Sequence, residues 1–254
     1  MLAILAAVFA FLYIPISVLV ALSFNEGGLP TAWTGFSLIW YGALWRNADI
    51  LQATLNTAVV ALVAAAIATF LGTLLAIGVE IRRRKGRAIE ALIFAPMIIP
   101  DIVLAIALLS FFSLLKVPMG LHTIIVAHVV FNLAFVCAVV RARLKSFDWS
   151  IVEASADLGA PAWVTYRRIV VPVLAPAIIA GALLAFTLSV DEFIIAFFTA
   201  GAGRGSITLP MQIYSMIRFG VTPEINALAT LVLGVSVTAL ALAQRLSKGE
   251  MPGQ

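Results

Sequence analysis

Six long apolar blocks, parted by short polar or charged stretches, organise this chain. They lie near 2–23, 54–81, 91–115, 121–141, 173–199 and 223–245. Crossing ~30 Å of hydrocarbon at ~1.5 Å per residue takes about 20 residues, so each block is long enough to span. Lipid offers the backbone no hydrogen-bond partners, so each span must be helical. A barrel would instead need segments of about ten residues alternating polar and apolar, and that alternation is absent. The pattern predicts an all-α polytopic membrane protein, with one transmembrane domain over 1–254. The first block starts at Leu2 without a basic leader or a clear small-x-small cleavage site. It reads as an uncleaved first span, not a signal peptide.

Composition agrees. The chain is 63% apolar and 11% charged, against about 25% charged in a soluble domain. The net charge of +4 could suggest nucleic acid, but the basic residues have a better explanation. With six spans both termini share a side. That side carries Arg82, Arg83, Arg84, Lys85, Arg87, Arg141, Arg143, Lys145, Arg167, Arg168, Arg245 and Lys248. The other carries Arg46, Lys116, Arg204 and Arg218. The richer side is expected to be cytoplasmic, with both termini inside. No nucleic-acid role is expected. Cys137 is the single cysteine, so no intrachain disulfide or metal-ligand spacing arises.

The connections carry further signals. Between 24 and 53, Trp33, Trp40, Tyr41 and Trp45 favour a headgroup boundary, and a short interfacial helix is expected near 37–46. This predicts contact with membrane lipid. Gly201, Gly203 and Gly205 begin a second long stretch, 200–222, which ends before Pro223.

Ionisable residues inside spans are costly and face a bundle interior or a wet cavity. Asp101 lies about 16 Å beyond Glu90 by helical rise, near the expected midplane, after Pro96 and Pro100. It reads either as a site for a cationic substrate or as a cap on a helix restarted after Pro100. Asp191 and Glu192 lie late in the fifth span, with Phe193, Phe197, Phe198 and Tyr214 nearby in sequence. Acids with aromatics suit an ammonium ligand. The substrate-pathway candidates are therefore Asp101, Asp191, Glu192 and Tyr214. His128 and Asn132 share a helix face and are expected to hydrogen-bond between helices. Glu80 is expected to form an interfacial ion pair beside Arg82–Lys85.

The stretch 147–172 is charged and lies between spans four and five. Asp148 or Ser150 could cap a helix from near Ile151, and Gly159 could end it in the left-handed region. A second short helix is expected from Pro161 to about Arg168. Ala154, Ser155 and Ala156 are small enough for a partner to approach the backbone. Glu153 and Asp157 fall on one face. The geometry suits a plug inserted into a groove on another protein.

Glu153-Ala154-Ser155, then Gly159, then Ile169-Val170-Val171-Pro172 resembles the EAA coupling motif of permease subunits of ATP-binding cassette importers. Ser155 replaces the family's second Ala, and Val171 its Leu. Further segments are similar to the C-type permease subunits of spermidine/putrescine importers. They are Pro100-Asp101-Ile102-Val103, Arg143–Asp148, Phe186–Glu192, Leu209–Met216 and Thr222–Leu228. The resemblance implies the type I importer (MetI-like) fold in a bacterial inner membrane, with a cytoplasmic coupling helix between spans four and five. It implies coupling positions Glu153, Ala154, Ser155, Asp157 and Gly159. It also implies a homologous second permease subunit, two ATPase subunits and an external, periplasmic binding protein delivering polyamine. No G-x-x-x-x-G-K-[ST] phosphate loop occurs in the chain. ATP and Mg²⁺ are therefore expected on the partner ATPase, with no cofactor, metal or catalytic residue here. Another amine or a phosphonate is the alternative substrate. A gradient-driven transporter would favour inverted repeats and interrupted helices. An intramembrane enzyme would need a metal or nucleophile constellation that two histidines and one cysteine do not supply.

Overall fold

The computed structural model describes residues 1–28, 32–81, 87–218, 220 and 222–249. Among them the fold is all-helical, apart from one isolated bridge between Asn25 and Phe36. The helices are α1 (Leu2–Leu22), α2 (Ile39–Leu44), α3 (Ala48–Ile81), α4 (Arg87–Ile98), α5 (Asp101–Leu114), α6 (Leu121–Leu144) and α7 (Ser150–Asp157). They continue with α8 (Ala162–Thr165), α9 (Val171–Asp191), α10 (Ile194–Thr199), α11 (Leu209–Arg218) and α12 (Pro223–Gly249). Arg82–Lys85 lie outside the described residues.

The chain divides into two compact units. One comprises residues 1–51 and 212–254. In it α12 packs against α1 and α2. The buried Asn25 organises the loop after α1: its amide donates to the Ala32 carbonyl at 2.7 Å and accepts the Thr34 N–H at 2.8 Å. Its backbone carbonyl accepts the Trp40 indole N–H at 2.8 Å. The short helix expected near 37–46 is α2, with Trp33, Phe36 and Trp45 exposed beside it.

The other unit, residues 52–211, is built on α6. Its buried face runs from Thr123 to Leu144 and packs against α9, α4 and α10. Small residues allow close approach. A Cβ on Gly72 of α3 would meet Val136 at 2.9 Å and the Leu133 carbonyl at 3.1 Å, and one on Gly181 of α9 would meet Val136 at 3.3 Å. In lipid such contacts, not a hydrophobic drive, hold helices together.

Four helices are long and apolar enough to span: Ile4–Leu22, Ala48–Ile81, Leu121–Leu144 and Ala162–Asp191. Two expected spans differ from the pattern. Block 91–115 is not one helix but α4 and α5, bent by 113°. Pro100 lacks an N–H and disfavours helical geometry at Ile99, so the ladder stops there. Block 173–199 starts earlier and breaks sooner. Its helix runs from Ala162 through a π-helical turn at Tyr166–Val170 to Asp191, and only the short α10 follows. The sixth block falls on α12, whose described apolar portion is Pro223–Val235.

Candidate functional site

Two features of the unit 52–211 bear on function. The first is the α7–α8 hairpin. The Ser150 hydroxyl and its N–H, the latter 3.0 Å from Oδ1, hold the exposed Asp148 carboxyl below its ordinary value, and this anchors the start of α7. The end of α7 is a Schellman turn. Gly159 has φ +76°. Its N–H donates to the Ala156 carbonyl at 2.8 Å, and the Ala160 N–H donates to the Ser155 carbonyl at 3.1 Å. A Cβ on Gly159 would touch nothing within 4 Å, so the requirement for glycine is conformational.

Glu153, Ala154, Asp157 and Gly159 are exposed on this hairpin. Ser155 is not: it is buried, and its hydroxyl pairs with Thr165 Oγ1 of α8 at 2.8 Å. The serine in place of alanine thus ties the hairpin's two arms together instead of facing outward. The expected second helix does not stop at Arg168 but winds through the π turn into α9. Sequence reasoning missed two large apolar side chains here. Leu158 is 88% exposed and Trp163 71%. Both stand out on the hairpin beside the exposed Glu153 and Asp157. The signal was legible as two large residues flanking the Gly-Ala-Pro turn.

The hairpin rests on the bundle through Phe147, Trp149, Val152, Tyr166 and Val170, which pack with α6 residues Val140 and Leu144. Close by, Arg141 of α6 pairs with Glu90 of α4 and lies 3.7 Å from Glu80 of α3. Glu80, expected to pair beside Arg82–Lys85, thus has a partner on another helix.

The second feature lies around the two helix breaks. Asp101, half-buried, is the first residue of α5, where helix-end N–H groups favour a negative charge. Glu192, also half-buried, fills the break after α9, and its carboxylate accepts the Ile195 N–H of α10 at 2.8 Å. Because α10 packs on α5, the two carboxylates are close enough for their charges to interact. Asp191 is exposed beside them. Phe193 and Phe197 are ring neighbours at 5.4 Å. One turn before the break, Ser189 pairs with the buried His128 at 2.6 Å, linking α9 to α6. Tyr214, half exposed, belongs to the other unit.

Residues 68–248 match the family of binding-protein-dependent transport system inner membrane components. The chain belongs to that family. It is 38% identical over 250 residues, covering 98% of itself and 94% of the relative, to the spermidine/putrescine transport system permease protein PotC of Escherichia coli. It is 43% identical over 234 residues, covering 89% and 83%, to the putrescine transport system permease protein PotI of the same organism. Among solved structures it is similar to a bacterial ABC transporter involved in import of the acidic polysaccharide alginate. That match has a TM-score of 0.77 and 15% identity, over 96% of this chain and 94% of the other. The MetNI methionine ABC transporter matches with a TM-score of 0.60 and 17% identity, over 81% and 100%. This family member is thus a homologue of polyamine-system permeases, a transport component of the inner membrane with the type I ABC importer permease fold.

Proposed function

We propose that the chain forms one half of the translocation pathway of an ATP-driven polyamine importer and couples that pathway to a separate ATPase. The exposed α7–Gly159–α8 hairpin carries this reading. It offers Glu153 and Asp157 as charges, Ala154 as a close-approach point, and Leu158 and Trp163 as apolar anchors. Ser155 holds the hairpin in shape. The richer side of basic residues then faces the cytoplasm, with both termini and the hairpin. A second, homologous permease completes the pathway. Two ATPase subunits bind ATP and Mg²⁺ against the hairpins, and a periplasmic binding protein delivers substrate.

The substrate class rests on the polyamine systems of the similar permeases and on the acids at the breaks. Asp101 stands at the start of α5, where helix-end N–H groups favour a negative charge, and the Glu192 carboxylate accepts the Ile195 N–H. A polyamine passing between them exchanges water for carboxylate oxygens. Asp191 and Tyr214 are the remaining pathway positions, the tyrosine by cation–π attraction.

The test is hydrolysis by the complete reconstituted complex with its binding protein, with and without spermidine or putrescine. Stimulation by either is expected. Intact basal hydrolysis without stimulation would refute the polyamine assignment. Hydrolysis indifferent to the presence of this chain would refute the coupling role.

A further inference from the structure

We infer that Arg141 is a positioning residue for coupling: it clamps the ends of α3, α4 and α6 so that a push on α7 moves them as one body. The inference rests on the docking of α7 proposed above. Three observations meet at this residue. Its guanidinium pairs with Glu90, in the first turn of α4, and lies 3.7 Å from Glu80, in the last turn of α3. Its guanidinium carbon also sits 5.9 Å from the ring centre of Phe94 on α4. Arg141 and Glu80 are both largely buried, with side chains 15% and 2% exposed.

The surrounding contacts explain why a polar clamp is needed. One apolar cluster joins Ala76 of α3, Phe94 of α4 and Val140 and Leu144 of α6 to Trp149 and Val152 at the hairpin. Such a cluster transmits pressure through packing, and a charged tie adds a directional restraint between the helix ends. The Arg141 guanidinium, paired with Glu90 of α4 and 3.7 Å from the buried Glu80 of α3, adds a directional tie between these helix ends, and charges this close to a span are costly to separate. The clamp stands one turn of α6 before Leu144 and Lys145, where the chain turns toward α7. One cation also serves two anions.

The experiment compares Arg141→Met, Arg141→Lys and Glu90→Gln in the assembled complex with its ATPase and binding protein. Two quantities are read: substrate carried per ATP hydrolysed, and amide hydrogen exchange over α4 and α7. Arg141→Met should lower transport per ATP about tenfold, the usual scale of coupling between two sites, while hydrolysis continues. Exchange should rise in α7 as well as in α4. Arg141→Lys should restore part of both, since it keeps the charge but not the fork. Glu90→Gln should fall between wild type and Arg141→Met, and it carries the test if Arg141→Met fails to assemble. A wild-type ratio of transport to hydrolysis in the assembled variants would overturn the inference. So would a proportional fall of both rates without rescue by lysine, or exchange raised in α4 alone. If the wild-type complex itself shows no binding-protein-stimulated hydrolysis, the docking proposal fails, and the α7 exchange still judges the clamp.

Discussion

Replacing Gly159 tests the hairpin through one dihedral angle. Its φ of +76° costs an L-residue about 1–2 kcal/mol, because Cβ crowds the following carbonyl. An added Cβ meets nothing within 4 Å, so alanine bears this backbone cost alone, while a β-branched valine bears more, being a genuine outlier at positive φ. A valine can keep the turn and bear that strain. Otherwise it abandons the turn and loses the Gly159 and Ala160 N–H bonds, worth about 1 kcal/mol each net. Keeping the turn therefore lowers the ratio of intact to opened hairpin about 5- to 30-fold. The effect should be graded. Asparagine tolerates the left-handed region, so Gly159→Asn should be mild, Gly159→Ala intermediate and Gly159→Val severe. Measured in proteoliposomes, substrate-stimulated hydrolysis and uptake should fall in that order while basal hydrolysis and assembly persist. Equal activity for all three, or asparagine as damaging as valine, would refute the conformational reasoning.

Four further outcomes follow from the same geometry. Asp101→Asn should reduce dication uptake roughly tenfold or more, the scale of one charge-assisted hydrogen bond, with assembly unchanged; unaltered uptake kinetics would leave Asp101 only its place at the start of α5. Ser155→Ala should cost about 1–3 kcal/mol in thermal stability by stranding the buried Thr165 hydroxyl, and Ser155→Ala with Thr165→Val should recover most of it; equal losses in both variants would contradict the pairing. Gly201→Ala should abolish assembly, because Gly201 has φ +72° and a Cβ there would lie 2.9 Å from the Met119 carbonyl oxygen; normal yield after purification would contradict it. Asp148 has a lowered folded value, so its contribution is complete above the unfolded carboxylate value of about 3.9 and is lost only as pH falls through the lower folded one. Exchange in α7 should therefore show no transition from this group between about pH 5 and 8, and a transition that disappears in Asp148→Asn would contradict the assignment.

The sequence revealed helices where lipid and backbone chemistry leave no alternative, and it marked Pro100 as a place where a helix could restart, although block 91–115 was expected as one span. The break after Asp191 had no such marker. No glycine or proline stands there; instead the Glu192 carboxylate takes an N–H of the next helix, which packs on α5. Ser155 was misjudged for a related reason. A small residue on a loop looks like room for a partner, until α8 folds back and brings Thr165 within 2.8 Å. Arg141 shows the limit most clearly. On one helix its charge reads as a marker of membrane sidedness. Its link to Glu80 and Glu90 spans 61 and 51 positions of chain, a pairing that no local pattern encodes and that exists only once three helix ends converge. Local chemistry therefore marked the apolar helices and the glycine turn, while the groups that join one helix to another emerged only from packing.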